Sequence, residues 1–567
     1  MINSILKQSI LSSLLCCSYL YAQKAEEMPQ VWETKLDHSI DYAFAQFGGI
    51  SIAASDKEIT AINSTTGAKL WNKKFKEIAP KLRKIDEAEP IWDANAVFLF
   101  DRKAGKDQVC VIDVATGNPL WTSEKYQNLD DENIIYIKEK ETFILCLEKS
   151  IVMVNAKTGE EKWQLSGLKG IVGAYVYDGA EDAFLFLNAR NASMMEELFV
   201  GDAFAGWKNQ LMKVKANTGE IVWENKFFGI PQRKVVTREK LFDLDLKGDK
   251  VILTLSGIQT YDYASGKQIF TAAFDYTPER VRGVKFNTYG CPTRTAKKGV
   301  YGAVAEPVNV GDELYVMDAQ KPKEQFIKKY DIKSGQLLWT SEDIKGAKVL
   351  PYMGVTNDRV VVQVGGQIET QAKGSCIKNN SDGSTSRITY ASVDFNDVKP
   401  YGLRGIDTKT GKLAWESEKF KKGITNSFLG DDNNIIICSG VAVYSINPAN
   451  GNENFEIKLN KSAIGEASRV LNYNNKVIVI GEKGIAAHNE KNGAEIISTK
   501  YKKSSLYRMS KDFLIMKTEK EDFAAFDTET CNYKYYDARN GSTALLSDDG
   551  KELMVYEKKS VTLLKTK

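Results

Sequence analysis

Histidine is almost missing from this chain: His38 and His488 are the only two in 567 residues. Two isolated imidazoles read as core or surface residues, not as a metal-ligand set or the base of a triad. The sequence also lacks a haem-attachment Cys-x-x-Cys-His, a Gly-x-Ser-x-Gly elbow, a phosphate loop and a dinucleotide fingerprint in its proper context. The familiar catalytic constellations are therefore absent. Beyond Leu20 no apolar run is long enough to span a bilayer as a helix. No Pro-, Gly- or Ser-rich linker divides the chain, and the net charge of +3 is spread evenly. Such a balance implies neither nucleic-acid nor anionic-membrane binding, and the pairs Lys73-Lys74, Lys297-Lys298 and Lys502-Lys503 read as solvated faces. With 43% hydrophobic and 27% charged residues, the composition is that of a globular protein.

What the sequence does contain is one phrase, repeated ten times. An apolar strand ends in Asp or Asn, a Thr-Gly or Ser-Gly turn follows, and a Trp or other large residue stands four positions after the Gly. The Gly and Trp pairs are Gly67 with Trp71, Gly117 with Trp121, Gly159 with Trp163, Gly219 with Trp223, Gly335 with Trp339 and Gly411 with Trp415; TYDYASGKQIF carries Phe270 instead. Eroded copies lie at Gly451 with Phe455, Gly493 with Ile497, and Cys531 in the glycine's place with Tyr535. A phrase recurring every 38 to 76 residues marks an array of similar units, hence one architecture along the chain.

The residues of the phrase describe a β-hairpin. Val109, Val111 and Asp113 alternate with the period of a half-buried strand. Asp113, Asp331 and Asp407 can accept hydrogen bonds from turn amides, while the glycine supplies the positive φ of a tight, right-twisted turn. The Trp then falls in the second strand, where a large flat side chain can wedge between sheets. Two further apolar runs precede most hairpins, as ENIIYIKE and TFILCLE precede SIVMVNAKTG. Four antiparallel strands per repeat make a propeller blade.

The strand-Asp-x-x-Thr-Gly-x-x-x-Trp phrase resembles the tryptophan-docking repeat of the pyrroloquinoline-quinone-type β-propellers. That superfamily holds the quinoprotein alcohol dehydrogenases and an outer-membrane assembly propeller lipoprotein. The resemblance spans residues 31–567 and implies an all-β propeller of four-stranded antiparallel blades. Family members have eight; counting phrases here gives up to eleven blade-like units. The last stretch, KELMVYEKKSVTLLKTK, supplies two strands without a Trp strand, and PQVWETKL around Trp32 is an orphan Trp strand. The amino-terminal strand is thus expected to complete the carboxy-terminal blade and leave no free edge.

Residues 1–22 read as a signal peptide, with Lys7 before the apolar run Ile10 to Leu20 and a cleavage site after Ala22. An exported protein, periplasmic or associated with the outer membrane, follows. Cys16 and Cys17 leave lipidation open as an alternative. Cys110, Cys146 and Cys438 sit within strand patterns and read as buried, inert thiols, and Cys531 marks a decayed repeat. Cys291 and Cys376 lie in polar insertions, where an oxidising envelope would allow them to pair.

Three insertions depart from the repeat, and all fall on the face opposite the Thr-Gly turns. Their residues Met194, Met195, Phe199, Phe204, Trp207, Tyr289, Arg294, Tyr390 and Phe395 form a candidate partner surface, since loops on a rigid scaffold commonly carry binding residues. The same loops could simply pack over the ring's mouth. The acidic stretches Asp431-Asp432-Asn433-Asn434 and Asp548-Asp549-Gly550 carry oxygens that calcium would need but no EF-hand spacing, and hairpin turns account for them.

No catalytic residue, metal or cofactor is expected from these readings. The expected function is a non-catalytic, protein-binding scaffold of the cell envelope, in outer-membrane or surface complex assembly. The resemblance keeps an alternative, a periplasmic alcohol or sugar dehydrogenase using pyrroloquinoline quinone with calcium. Adjacent cysteines, which cover the quinone in the methanol dehydrogenase branch, occur only at Cys16-Cys17, against that branch. A third class is a propeller that binds carbohydrate or peptide.

Overall fold

The computed structural model describes residues 26–567 apart from 81–84, 86, 102–107, 127–128, 130–132, 148, 169–170, 190–203, 206–208, 228–237, 240–242, 255–256, 274–298, 302–304, 322–323, 348, 380–384, 418–419, 502–503, 511 and 519–521. At 87, 171, 173, 189, 204–205, 209, 226–227, 238–239, 243, 257, 271–273, 299–301, 319–321, 324, 368–379, 385–396, 468 and 504–505 the backbone alone is described. The signal-peptide residues, Cys16 and Cys17 lie outside this set.

The chain is all-β, with eleven four-stranded antiparallel blades arranged as a β-propeller. The number matches the upper count from the repeats. Two compact units divide the blades. One, formed by 1–72 and 500–567, holds three. In the first of these, Gln30–Lys35 pairs antiparallel with Ser560–Lys565, so the amino-terminal strand completes the carboxy-terminal blade as expected. Glu26–Glu27 runs parallel to Tyr533–Tyr536 on the outside of another. The second unit, 73–499, holds the other eight.

Each blade is built from the same local chemistry. In the Trp163 blade, Ile134–Ile137, Thr142–Leu147, Ser150–Asn155 and Glu161–Ser166 pair in sequence order. The two middle strands are buried along nearly their whole length, because sheets pack against both of their faces. The outer strand alternates, burying Trp163 and exposing its neighbours. At the turns the Asp reading holds: Asp113 Oδ1 accepts from the Thr116 amide and hydroxyl, each at 2.8 Å, and Gly117 at φ 68° donates to the Asp113 carbonyl at 2.8 Å. Asp331 and Asp407 accept in the same way from Ser334 and Thr410, and these bonds hold both carboxyls below the usual carboxylate range.

Each docking aromatic anchors the next blade. The indole N–H of Trp121 donates to the Ala156 carbonyl at 3.0 Å, Trp163 to Ala216 at 2.8 Å, Trp223 to Tyr263 at 3.0 Å, Trp339 to Thr408 at 2.9 Å and Trp415 to Pro448 at 2.8 Å. The ring lies flat on the turn glycine. A Cβ on Gly159 would stand 2.7 Å from Trp121 Cδ2, and one on Gly219 the same distance from Trp163. Glycine is therefore required twice over, for its positive φ and for the absent side chain. Phe98, Trp121 and Phe143 fill the layer between two such blades with edge-to-face contacts at 5.7 and 4.9 Å.

Candidate functional site

One blade departs from the pattern. Its second and third strands, Arg359–Asn379 and Thr385–Asp407, run far past the blade as a paired arm. Pairing continues from Gly366↔Val398 to Asn379↔Thr385. At about 3.4 Å per residue the arm reaches roughly 45 Å. The sequence reading of 369–401 as an irregular insertion is corrected here, because these residues form a ladder. Its polar, Gly- and Ser-containing composition carries no apolar alternation to announce a strand.

The arm leaves the blade at a bulge. Pairing slips between Val364 and Gly366, where Gly365 has φ 72° and Gly366 φ 120°. A Cβ on Gly365 would fall 1.6 Å from the Pro400 carbonyl oxygen, so no other residue fits. The base is fixed to its neighbours: Gln363 Nε2 donates to the Gly365 carbonyl at 2.7 Å, and the Ser427 hydroxyl of the next blade donates to Gln363 Oε1. On the other side of the blade, Arg404 joins Glu416 at 3.0 Å and the Lys345 carbonyl at 2.8 Å.

A further short strand meets the arm. Gly299–Tyr301, which follows residues 274–298, adds an antiparallel strand along Glu369–Gln371. The opposite edge of the arm, at 385–398, has no partner strand among the described residues.

The predicted partner surface is only partly placed. Tyr390 lies opposite Gly374 and Phe395 opposite Glu369, both in the arm. Phe204 belongs to a two-residue strand paired with Arg238–Glu239. Met194, Met195, Phe199, Trp207, Tyr289 and Arg294 lie outside the described residues. So does Cys291, whereas Cys376 stands in the arm opposite Ile388 and not in an irregular loop.

Titratable groups elsewhere serve packing. His38 is buried, with Nε2 2.8 Å from the Thr60 hydroxyl and Nδ1 2.6 Å from the Ser39 carbonyl. His488 Nδ1 lies 3.2 Å from the Gly493 carbonyl, and burial lowers its pKa. Cys110, Cys146 and Cys438 are free and buried, with burial pushing the first two up to about 12 and the third to about 11. Asp549 accepts from Ser547 at 2.8 Å and from the Lys551 amide at 3.1 Å, a turn as expected. Among the described residues, no three His, Cys, Asp or Glu side chains cluster in a way that would hold a metal.

A family model described as outer membrane protein assembly factor BamB matches residues 19–135. Those residues include the Trp71 and Trp121 repeats, whose hairpin geometry recurs through the chain. Over those residues the chain is similar to the PQQ-like propeller repeat family. The propeller is similar to BamB from Moraxella catarrhalis at 12% identity, over 82% of this chain and 98% of that one, with a TM-score of 0.28. It is also similar to a computationally designed protein, Ika8, at 12% identity over 70% and 96% of the two chains, TM-score 0.33. A eukaryotic initiation factor matches at 10% identity over 76% and 96%, TM-score 0.36. No curated protein matches the propeller.

Proposed function

We propose that this chain is a non-catalytic propeller of the cell envelope that holds a protein partner through its β-arm. The arm carries the reading. A two-stranded ribbon of this length is marginal by itself, and among the described residues no strand pairs with the backbone donors and acceptors of its 385–398 edge. An extended segment of another protein can add to such an edge, with main-chain hydrogen bonds giving affinity. The bulge glycines and the Gln363–Ser427 contact fix the direction in which the arm projects. The family-model match, whose description names an assembly factor, and the sequence signals for export support an envelope setting.

The test replaces 367–397 by an Asn-Gly turn joining Gly366 to Val398, a loop that suits a two-residue hairpin. The shortened protein should keep its far-ultraviolet spectrum and melt within a few degrees of the wild type. Affinity capture from the envelope fraction of the native cells should recover a defined partner with the wild type and lose it with the shortened form. Equal capture by both proteins would overturn the assignment to the arm. Oxidation of an alcohol or sugar by purified protein supplied with pyrroloquinoline quinone and calcium would overturn the non-catalytic reading.

A further inference from the structure

Glu490 is out of place in its repeat. It follows the strand-ending Asn489, a position held by Val114, Ala156, Ala216, Ile332 and Pro448 in other blades. Like Val114, Ala156, Ala216 and Ile332 it is buried, and its exposure is 0%. Its main-chain N–H donates to the Asn475 carbonyl at 3.0 Å. The preceding blade docks here with Phe455, which packs on Gly493 but has no N–H to offer, so the indole bridge made by the Trp blades is missing here, as it is where Phe270 packs on Gly335.

The Glu490 side chain reaches the turn Gly430–Asn434 of that preceding blade. Oε1 accepts from Asn472 Nδ2 at 3.0 Å and from the Asp432 amide at 3.3 Å. Oε2 is buried without a hydrogen-bond partner, and so is Asn472 Oδ1. Asp432 accepts from the Asn434 amide at 2.9 Å and its side chain at 2.5 Å. Glu490 Oε1, Asp432 Oδ1 and the Asn434 carbonyl, which accepts from the Gly430 N–H at 2.8 Å, crowd the position that a Gly430 side chain would take. A Cβ there would lie 2.4 Å from Glu490 Oε1, 3.2 Å from Asp432 Oδ1 and 3.3 Å from the Asn434 carbonyl oxygen. No lysine or arginine among the described residues pairs with Asp431, Asp432 or Glu490.

We infer that Asp432, Glu490, Asn472 and the Asn434 carbonyl form a site for a hard divalent cation, calcium by preference, which staples the turns of two adjacent blades. Buried carboxylate oxygens without donors are costly unless a positive charge meets them. A proton shared between Glu490 and Asp432 would satisfy one contact but leave Asn472 Oδ1 alone. A calcium ion takes six to eight oxygens in flexible geometry and would collect all of them, with water completing the shell. The cation would supply between these blades the link that an indole supplies between others.

The test is calcium binding by full-length protein stripped with a chelator, followed by calorimetry alongside Glu490→Gln and Asp432→Asn. Wild type should bind one calcium at this site, in roughly the micromolar to millimolar range, and melt higher with calcium than without. Either substitution should weaken binding at least tenfold and abolish the calcium-dependent part of the shift. Hydrogen exchange should slow at 430–434 and 472–490 on adding calcium to wild type. No calcium binding by wild type, or equal binding by wild type and both variants, overturns the site. A stabilisation on acidification that Glu490→Gln removes, with calcium having no effect, would replace the cation by a shared proton.

Discussion

Replacing Gly219 by alanine should destabilise the propeller by about 2–5 kcal/mol, and the structure says where each part arises. The residue has φ 71°, a conformation that costs an L side chain roughly 1–2 kcal/mol. Its new Cβ would lie 2.7 Å from both Cδ2 and Cε3 of Trp163. That indole is 9% exposed and donates to Ala216 at 2.8 Å, so moving it away breaks the hydrogen bond and opens the layer between blades. Overpacking of this kind adds roughly 1–3 kcal/mol. Gly248 is the control: it has φ 60° and nothing within 4 Å of the Cβ position, so Gly248→Ala should cost only the backbone share, about 1–2 kcal/mol. Trp163→Ala alone should cost about 3–5 kcal/mol. With the indole gone, Gly219→Ala should fall to the level of the control, giving a coupling of about 1–3 kcal/mol. Denaturant midpoints from circular dichroism, compared at constant slope, measure the whole cycle. Equal losses for Gly219→Ala and Gly248→Ala, or strict additivity with Trp163→Ala, would refute docking of the indole on the turn.

Other consequences are as direct. Trp339→Ala removes the bond to Thr408 and the packing on Gly411 and should lower stability by roughly 3–5 kcal/mol, read from the same midpoints. Gly365→Ala should leave the blade folded but speed hydrogen exchange at 366–379, because the bulge cannot admit a Cβ beside Pro400. Cys110, Cys146 and Cys438 should resist a thiol reagent at pH 8 in native protein and react fully in denaturant. Their folded thiols hold protons above the ordinary value of 9.0, so their contribution to stability is complete below about pH 9 and is lost as the pH rises toward 11–12. Midpoints measured from pH 8 to 11 should fall, and fall less in a triple Cys→Ala variant relative to its own value at pH 8.

The repeat made most of the fold legible. Thr-Gly turns, strand-ending Asp and the Trp spacing disclosed hairpins, blades and the closing role of Gln30–Lys35, and bounded the number of blades at eleven. The docking target was not legible, since the partner of Trp163 lies a whole blade further on, at Ala216 and Gly219, and spacing within one phrase cannot show it. The arm was hidden for a different reason. Period-two patterning reveals a strand only when one face is buried, and the polar residues from Gln367 to Asp397 have no such pattern. Glu490 could have been found. Aligning the residue after each strand-ending Asp or Asn sets a glutamate against Val, Ala, Ile, Pro, Ser, Tyr and Thr, none of them charged.

The arm's role is tested most directly by photo-cross-linking in the native cells, with a photoreactive residue placed at 373 or 391 in the arm and, as control, at Thr116 in an exposed turn. A single defined protein adduct from both arm positions, absent from the control and from the shortened protein, is the predicted result. No adduct from either arm position, or the same adducts from the control turn, would contradict a partner-holding arm.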